Sequence, residues 1–240
     1  KSYASDPIGT IMTNIAGTQH ILDYAVKANS EKVLFLSTVE IYGENRGDLD
    51  KFTEDYCGYI DCNTLRAGYP EGKRASESLC QAYIQKYGID VVIPRISRTF
   101  GPTMLLSDSK ASSQFIMNAV HKENIVLKSA GTQLYSYAYV ADIVSALLFL
   151  LVKGQKGEAY NVSNEHCDIT LRTFAETLAN VAGTKVIHGE ATAQEKQGFS
   201  KATKALLDNQ KIYALGWRPL YDSMEEPLKH TIKILEGSGN

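Results

Sequence analysis

Two short apolar segments constrain the fold of this 240-residue chain more than any other feature. They span residues 32–36 and 91–96, and each follows a longer stretch with apolar residues at helical spacing. Short apolar runs without polar alternation are typical of strands that are buried on both faces of a parallel sheet. Parallel strands need long crossover connections, which the helical stretches can supply. The pattern therefore predicts an α/β fold with a doubly wound parallel sheet.

Local start and stop signals give approximate bounds to the elements. Asp6 and Pro7 suit the beginning of a helix that continues to about Ala28, and Gly88 suits the end of a helix over residues 70–87. The same reasoning predicts further helices near residues 112–122, 141–152, 170–183 and 223–235, a short helix ending near residue 216, and strands near residues 125–127, 135–137 and 158–162.

Three features of the strand and loop regions bear on where a ligand could bind. Pro94 has no N–H group, so we expect sheet pairing to be interrupted near it. Ser37 and Thr38 follow the first strand directly, at the carboxyl end where open α/β sheets bind ligands. Residues 40–68 are polar and without periodicity, and we interpret them as a substrate-side loop because loops of this length are usually functional or disordered.

Composition and charge argue against several classes of partner. A net charge of -2 with mixed signs provides no basic face for nucleic acid. The longest apolar run lies near residues 146–152 and is far too short to span a bilayer, so we expect no membrane partner. No charged segment followed by an apolar one occurs at the N-terminus, so we expect no signal peptide and a cytoplasmic location.

The four cysteines do not form a pattern that binds metal. Cys57 and Cys62 are close enough to suggest half of a metal site, but no second pair at ligand spacing follows them. His166 and Cys167 are adjacent, which suits one tetrahedral site poorly. We therefore expect free thiols and no metal.

Tyr69 and Lys73 are the first candidate catalytic pair. Residues four apart near the beginning of a helix share one face, so the phenol and the ammonium can meet. A nearby cation stabilises a phenolate and lowers a tyrosine pKa from about 10 toward neutrality. Tyr69 is therefore a candidate base that takes the proton of a sugar hydroxyl while a hydride leaves the same carbon. The spacing alone also fits an ordinary solvated helix start.

Eight short motifs occur in order along the chain and carry a resemblance to a known family. They are Tyr3-x-x-x-Pro7, Asn14-x-x-Gly17-Thr18, Ser37-Thr38-x-Glu40-x-Tyr42-Gly43, Tyr69-x-x-x-Lys73-Arg74, Arg95-x-x-x-x-x-Gly101-Pro102, Tyr139-Val140-x-Asp142, Tyr160-Asn161-Val162 and Leu215-Gly216-Trp217-x-Pro219. The set resembles an extended short-chain dehydrogenase/reductase of the NAD-dependent nucleotide-sugar epimerase/dehydratase family. The resemblance covers nearly the whole chain and implies NAD as cofactor and a nucleoside-diphosphate sugar as substrate.

The resemblance also implies roles for individual residues. Tyr69 would be the catalytic base, and Lys73 would hold the nicotinamide ribose while lowering the pKa of Tyr69. Thr38, or alternatively Ser37, would hydrogen-bond the sugar O4 and orient the substrate. Ser37 and Asn14 would join Tyr69 and Lys73 in binding the cofactor.

Glu40 is the residue that discriminates among members of this family. It occupies the position where dehydratases and decarboxylases of the family carry a glutamate, whereas simple 4-epimerases usually have a small hydroxyl residue there. The usual dehydratase triplet Thr-Asp-Glu reads Thr38-Val39-Glu40 here, and Val39 cannot protonate a leaving hydroxyl. The resemblance therefore implies chemistry next to a C4 ketone, by dehydration, decarboxylation or epimerisation. An exposed acid at a strand end is the alternative interpretation of Glu40.

Two departures from the family pattern concern substrate binding. Arg98 stands where relatives often have a phosphate-contacting Asn, and residues 135–140 lack the arginine that usually binds the diphosphate. We hypothesise that Arg98 takes over this role, because a guanidinium can bind phosphate oxygens with two parallel hydrogen bonds. A salt bridge from Arg98 to a loop acid is the alternative. The altered segment argues against a close copy of the UDP-glucuronate decarboxylase site.

The glycine loop that holds the NAD pyrophosphate in this family does not occur after an early strand. We therefore expect that a preceding βαβ unit is missing from this chain and that the Rossmann-like domain is truncated. Residues 1–100 would be the remainder of that NAD-binding domain. Residues 101–240 would form mainly a smaller C-terminal substrate-binding lobe, with some segments returning to the Rossmann sheet.

Assembly and activity leave three further expectations. In the family, the helices that match residues 8–28 and 70–87 pair across a two-fold axis, which implies a homodimer. The truncated chain could instead be a catalytically inactive module that binds nucleotide sugars and dimerises. A reductase of the same fold that consumes NADPH or NADH is a third possibility.

Overall fold

The computed structural model describes residues 6–108, 110–192 and 202–237. The chain divides into two compact units. The first comprises residues 1–97, 144–162 and 207–218, and the second comprises residues 98–143, 163–206 and 219–240. The functions expected for residues 1–100 and 101–240 stay predictions, and Tyr3 of the first family motif lies outside the described residues.

The helices of the described residues are α1 (Pro7–Lys27), α2 (Gly68–Tyr87), α3 (Ala111–Val120), α4 (Val140–Lys153), α5 (Leu171–Ala182), α6 (Gln210–Ala214) and α7 (Glu225–Gly237). The strands are β1 (Val33–Leu34), β2 (Ser37–Thr38), β3 (Val91–Ile96), β4 (Arg98–Phe100), β5 (Ile125–Leu127), β6 (Leu134–Tyr139), β7 (Ala159–Val162), β8 (Asn164–Thr170), β9 (Val186–His188) and β10 (Lys204–Ala205). Two 3₁₀ turns span Val39–Tyr42 and Leu65–Ala67.

The first unit is built on a parallel sheet with β3 at its centre. β1 and β2 pair with one side of β3, and β7 pairs with the other side. Val92 pairs with Leu34 and Arg95 with Ser37, so the gap between β1 and β2 lies beside Pro94. Because proline cannot donate a backbone hydrogen bond, the predicted interruption of the sheet is confirmed on this side. The predicted parallel α/β sheet is confirmed as well.

Helices α1 and α2 of the first unit pack closely because α2 presents small residues to α1. Gly68, Gly72 and Ser76 recur every four residues along one face of α2. A Cβ atom at Gly72 would lie 3.1 Å from the Cβ of Asn14, and the Ser76 hydroxyl donates to the Asn14 carbonyl over 2.8 Å. The helix that carries Tyr69 is thereby held against α1.

The predicted loop over residues 40–68 is irregular, as expected, but it is anchored to the first unit. Phe52 is fully buried, and its ring stacks on those of Tyr42 and Tyr56 with centroid distances of 5.0 and 5.1 Å. Asn161 in β7 donates to the Phe52 carbonyl over 2.8 Å. Aromatic stacking and a buried hydrogen bond therefore hold the middle of this loop on the sheet.

The second unit is organised around β6. β4 and β10 pair with β6 in parallel, and β8 pairs with it antiparallel. A separate parallel pair, β5 and β9, completes its strands among the described residues. Asp142 is fully buried and accepts hydrogen bonds from the Leu220 N–H and the Asn164 amide, so it holds the segment that leads into α7.

Most helix bounds agree with the sequence prediction within about two residues. Asp6 accepts from the Gly9 N–H, Gly88 ends α2 with φ 73, and Thr170 and Gly183 begin and end α5 as predicted. The strands that the sequence analysis missed are β2, β4, β8, β9 and β10. Four of these have only two or three residues, and β8 begins with a polar sequence, so apolar periodicity could not reveal them.

None of the helices in the described part of the chain is both long enough and apolar enough to cross a membrane. The cytoplasmic location stays a prediction.

Candidate active site

Thr38 and Glu40 are placed by β2 and by the 3₁₀ turn that follows it. Thr38 ends β2 in an extended conformation, and its hydroxyl accepts from the Glu40 N–H over 3.3 Å at the beginning of the 3₁₀ turn. Val39 is only 5% exposed, whereas Glu40 is partly exposed. The turn therefore buries the position that carries an acid in the dehydratase triplet and leaves the Glu40 carboxylate accessible.

The turn that carries Glu40 is fastened to the helix that carries Tyr69. Arg74 of α2 donates from Nε to the Ile41 carbonyl and from Nη2 to the Gly58 carbonyl, each over 2.7 Å. Gly43 ends the turn with φ 71, and an added Cβ there would lie 2.2 Å from the Tyr59 carbonyl oxygen. Only glycine fits this position without strain.

The pKa of Tyr69 departs from the sequence prediction. Burial of the phenol raises its pKa above the ordinary value, a hydrogen bond from the Thr38 side chain lowers it, and the Glu40 carboxylate raises it again. The net direction is upward, whereas the resemblance implied a pKa lowered by Lys73. The side chains of Thr38, Glu40 and Tyr69 are nevertheless brought together at the carboxyl end of β2.

The Lys73 ammonium explains why the expected lowering does not occur in this structure. Its Nζ donates to the Leu36 carbonyl over 2.9 Å and lies 4.8 Å from the centre of the Phe35 ring. Burial lowers the pKa of Lys73, while Cys80 and Glu77 raise it. The cation therefore faces the segment between β1 and β2, where the carbonyl oxygen of Leu36 is its hydrogen-bond acceptor.

Ser37 contacts a largely buried ion pair that the sequence analysis missed. Its hydroxyl donates over 2.5 Å to Glu77, whose carboxylate also binds the guanidinium of Arg95. Glu77 stands four residues after Lys73 and eight after Tyr69, so helical spacing could have revealed it. The role of Ser37 in ligand binding stays a prediction, but the structure gives its hydroxyl a protein partner.

Asn14 lies at the contact between α1 and α2. Its side-chain amide donates to the Thr10 carbonyl over 2.8 Å, and its Cβ faces Gly72. The structure therefore gives Asn14 a role in helix packing, and its role in cofactor binding stays a prediction.

Arg98 belongs to the second unit, where it begins β4. Its guanidinium stacks on the Tyr135 ring, 3.5 Å from the centroid. The pKa of Tyr137 is raised to about 12, mainly by burial, and the charge of Arg98 acts in the opposite direction. Nη1 of Arg98 is buried and has no hydrogen-bond partner among the described residues. Within that part of the chain, no salt bridge to a loop acid is formed.

The cysteines are free. Cys57 and Cys62 are exposed, and Cys80 and Cys167 are buried. Among the described residues, no group of three or more His, Cys, Asp or Glu could hold a metal ion.

Comparison with known proteins identifies related sequences. Residues 1–163 match the family described as the NAD dependent epimerase/dehydratase family. Over 245 residues the chain is 31% identical to UDP-glucuronic acid decarboxylase 1 of Xenopus tropicalis. That alignment covers 100% of this chain but 56% of the relative, so the chain spans little more than half of the relative's length.

Solved structures share the fold. UDP-glucose 4-epimerase of Thermotoga maritima, solved with UDP-glucose, aligns with a TM-score of 0.83 and 23% identity over 98% of this chain and 73% of that chain. dTDP-glucose 4,6-dehydratase of Bacillus anthracis, solved with NAD, aligns with a TM-score of 0.78 and 22% identity over 95% and 69% of the two chains. The predicted Rossmann-like fold class is confirmed.

The arrangement of Thr38, Glu40 and Tyr69 predicts how the Tyr69 pKa responds to substitution. Glu40→Gln removes a negative charge and should lower the pKa of Tyr69, whereas Thr38→Val removes a hydrogen bond and should raise it. Both values can be measured by NMR titration of protein labelled at tyrosine Cζ, with Tyr69→Phe identifying the signal. A Tyr69 pKa that is unchanged by both substitutions would contradict this arrangement.

Proposed function

Because this chain belongs to the NAD dependent epimerase/dehydratase family, we propose that it acts in the NAD-dependent conversion of a nucleotide-linked sugar. The observation that carries this proposal is the meeting of Thr38, Glu40 and Tyr69 at the carboxyl end of a parallel strand. Open α/β sheets bind their ligands at this edge. The three side chains are a hydroxyl, a carboxylate and a phenol, which are the groups that this chemistry requires.

Lys73 and Tyr69 are the residues that would hold the nicotinamide ribose. The Lys73 ammonium has three donors, of which one binds the Leu36 carbonyl between β1 and β2. Bound NAD would supply a hydride acceptor for C4 of the sugar and return the hydride at the end of the cycle. A cation brought close to the phenol by this contact would lower the pKa of Tyr69, against the effect of burial.

The protein groups divide the proton transfers between them. Thr38 would hydrogen-bond the sugar O4 and Tyr69 would take its proton, while C4 becomes a ketone. A ketone at C4 makes the C5 position acidic, and Glu40 is the group proposed to remove or return a proton there. Because Tyr69 is mostly a phenol at neutral pH in this structure, base catalysis would depend on the nearby cation.

Decarboxylation of a nucleotide-linked uronic acid is the outcome that we favour. A carboxylate on C5 is β to the C4 ketone, so the bond from C5 to the carboxylate carbon can break. Carbon dioxide leaves, the electron pair of that bond moves into an enolate, and the enolate is then protonated at C5. Val39 is buried and apolar, so it provides no acid for loss of a hydroxyl by dehydration. The relatives of this chain in Xenopus tropicalis and Arabidopsis thaliana are UDP-glucuronic acid decarboxylases.

Activity can be tested by incubating the protein with NAD and a panel of UDP-, dTDP-, CDP- and GDP-sugars, including uronic acids, in heavy water. We expect a uronic acid derivative to lose carbon dioxide and to gain one deuterium at C5. Tyr69→Phe and Glu40→Gln should each lower the rate by about 100-fold or more, because each removes a proton-transfer group. Product masses and initial rates are the measurements.

Tyr87→Phe is the matched control, since Tyr87 is exposed at the far end of the same helix and should keep the parent rate. Deuterium uptake without mass loss would indicate epimerisation instead. Net consumption of NADPH or NADH would indicate a reductase. Binding of the sugar without turnover, with Tyr69→Phe indistinguishable from the parent, would contradict the enzyme proposal and favour the inactive binding module.

Arg98 is the proposed ligand of the substrate diphosphate. The support is its buried Nη1, which has no hydrogen-bond partner among the described residues and leaves a charged donor available. Stacking on Tyr135 holds the guanidinium plane, so little freedom is lost when it binds phosphate oxygens.

Arg98→Ala should weaken binding of the nucleotide sugar by about 10- to 100-fold, because charge-assisted hydrogen bonds to phosphate are lost. Isothermal titration calorimetry with uridine diphosphate, or with another nucleoside diphosphate, measures the affinity. Arg172→Ala is the matched control, since Arg172 lies in the same unit and binds the Ala130 carbonyl. Equal affinities of Arg98→Ala and the parent would exclude the phosphate role.

A homodimer through α1 and α2 is the proposed assembly. Along α1, Ile8 is 75% exposed and Met12 is 53% exposed, and both lie away from the α2 contact formed by Asn14. Apolar side chains at this spacing form a stripe that a second copy could cover.

Met12→Lys should convert the dimer to a monomer, because a charge would be buried in the apolar contact. Sedimentation equilibrium measures the mass. Val152→Lys is the control, since Val152 is 76% exposed on α4 and should leave the mass unchanged. A parent protein that is monomeric over the whole concentration range would rule out this assembly.

A further inference from the structure

The ion pair between Glu77 and Arg95 joins α2, which carries Tyr69, to β3, the strand that pairs with the one carrying Thr38. Arg95 of β3 donates from Nε to Oε1 of Glu77 over 3.0 Å and from Nη2 to Oε2 over 2.7 Å. The two side chains are only 12% and 13% exposed. A bidentate contact of this kind fixes the orientation of both the guanidinium and the carboxylate.

The remaining donors of Arg95 continue this network through the first unit. Nη1 donates to the Tyr42 hydroxyl over 3.0 Å and to the Glu54 carbonyl over 2.6 Å. The Tyr42 hydroxyl in turn donates to Oδ1 of Asn161 over 2.6 Å. These hydrogen bonds fix the Arg95 guanidinium, and through it the Glu77 carboxylate, relative to the sheet.

Ser37 is the link from this pair to the candidate site. Ser37 is only 2% exposed, and its hydroxyl donates to Oε1 of Glu77 over 2.5 Å. Thr38 is the next residue on β2. Across the sheet, Ser37 pairs with Arg95 and Thr38 pairs with Ile96 of β3. Tyr69 shares the sheet-facing side of α2 with Glu77, because the two are eight residues apart.

We infer that Ser37 is a positioning residue for the proposed reaction: held by the Glu77–Arg95 pair, its hydroxyl fixes the strand end that presents Thr38 to Tyr69. The interpretation differs from the role that the family resemblance implied, in which Ser37 contacts cofactor or substrate. A buried hydroxyl bound to a carboxylate at 2.5 Å has donated its only proton to the protein. The Ser37 hydroxyl would affect catalysis by fixing the position of Thr38, because small displacements of reacting groups slow a reaction strongly.

Ser37→Ala is the substitution that tests this inference. It breaks the link to Glu77 while the ion pair stays intact, whereas removing Glu77 would leave a buried, unpaired Arg95 cation that strongly destabilises the protein. The matched control is Ser145→Ala, since the Ser145 hydroxyl, in the same unit, also takes part in a side-chain hydrogen bond and accepts from Trp217 over 3.1 Å.

Two measurements are made on each variant, and only the first rests on the proposed function. For turnover, Ser37→Ala should lower kcat by about 10- to 100-fold with KM changed less than about twofold, as expected for lost positioning. For the protein without substrate, NMR titration of labelled tyrosine should show a higher pKa of Tyr69, because its hydrogen bond from Thr38 is loosened. Ser145→Ala should change neither.

The two measurements separate the possible failures. A raised Tyr69 pKa without turnover by any variant would support positioning by Ser37 while contradicting the proposed function. An unchanged Tyr69 pKa together with a raised KM and an unchanged kcat would identify Ser37 as a ligand contact and overturn the inference. Values for Ser37→Ala that match those of Ser145→Ala in both measurements would also overturn it.

Discussion

The pairing of β2 with β3 is the constraint on which the candidate site depends. This short parallel register places Ser37 beside Arg95, and Arg95 in turn holds Glu77 of α2. A largely buried ion pair thereby joins β3 to α2, and Ser37 of β2 donates to it. Such a pair contributes little net stability, because the cost of removing two charges from water offsets their attraction. Its effect here is geometric, since Thr38 and Tyr69 meet only if strand and helix keep this spacing.

A second constraint is the conflict between burial and charge at Tyr69. A site that excludes water strengthens hydrogen bonds, but it also raises the pKa of a phenol that has to lose a proton. The Thr38 hydrogen bond opposes this effect, and the Glu40 carboxylate adds to it. A chain with this site would therefore need a cation close to the phenol before Tyr69 could act as a base, and Lys73 is one turn along the same helix.

Much of the fold could be predicted from local sequence signals. The bounds of α1, α2 and α5 followed from Asp6, Gly88, Thr170 and Gly183, and the interruption beside Pro94 followed from its missing N–H. These features depend on one or two residues and the backbone around them. The short strands of the second unit could not be predicted, because two or three residues carry no readable period and are defined only by their partners.

The sequence by itself determined the order of the motifs, the helical spacing of Tyr69 and Lys73, and the position of Glu40 after a buried strand. Only the tertiary structure decided where the charges point. Lys73 donates to Leu36, and Arg98 stacks on Tyr135. The physical reason is that the burial of a charged side chain and the groups that it contacts depend on elements distant in sequence. Helix periodicity and capping depend only on residues that are neighbours in sequence.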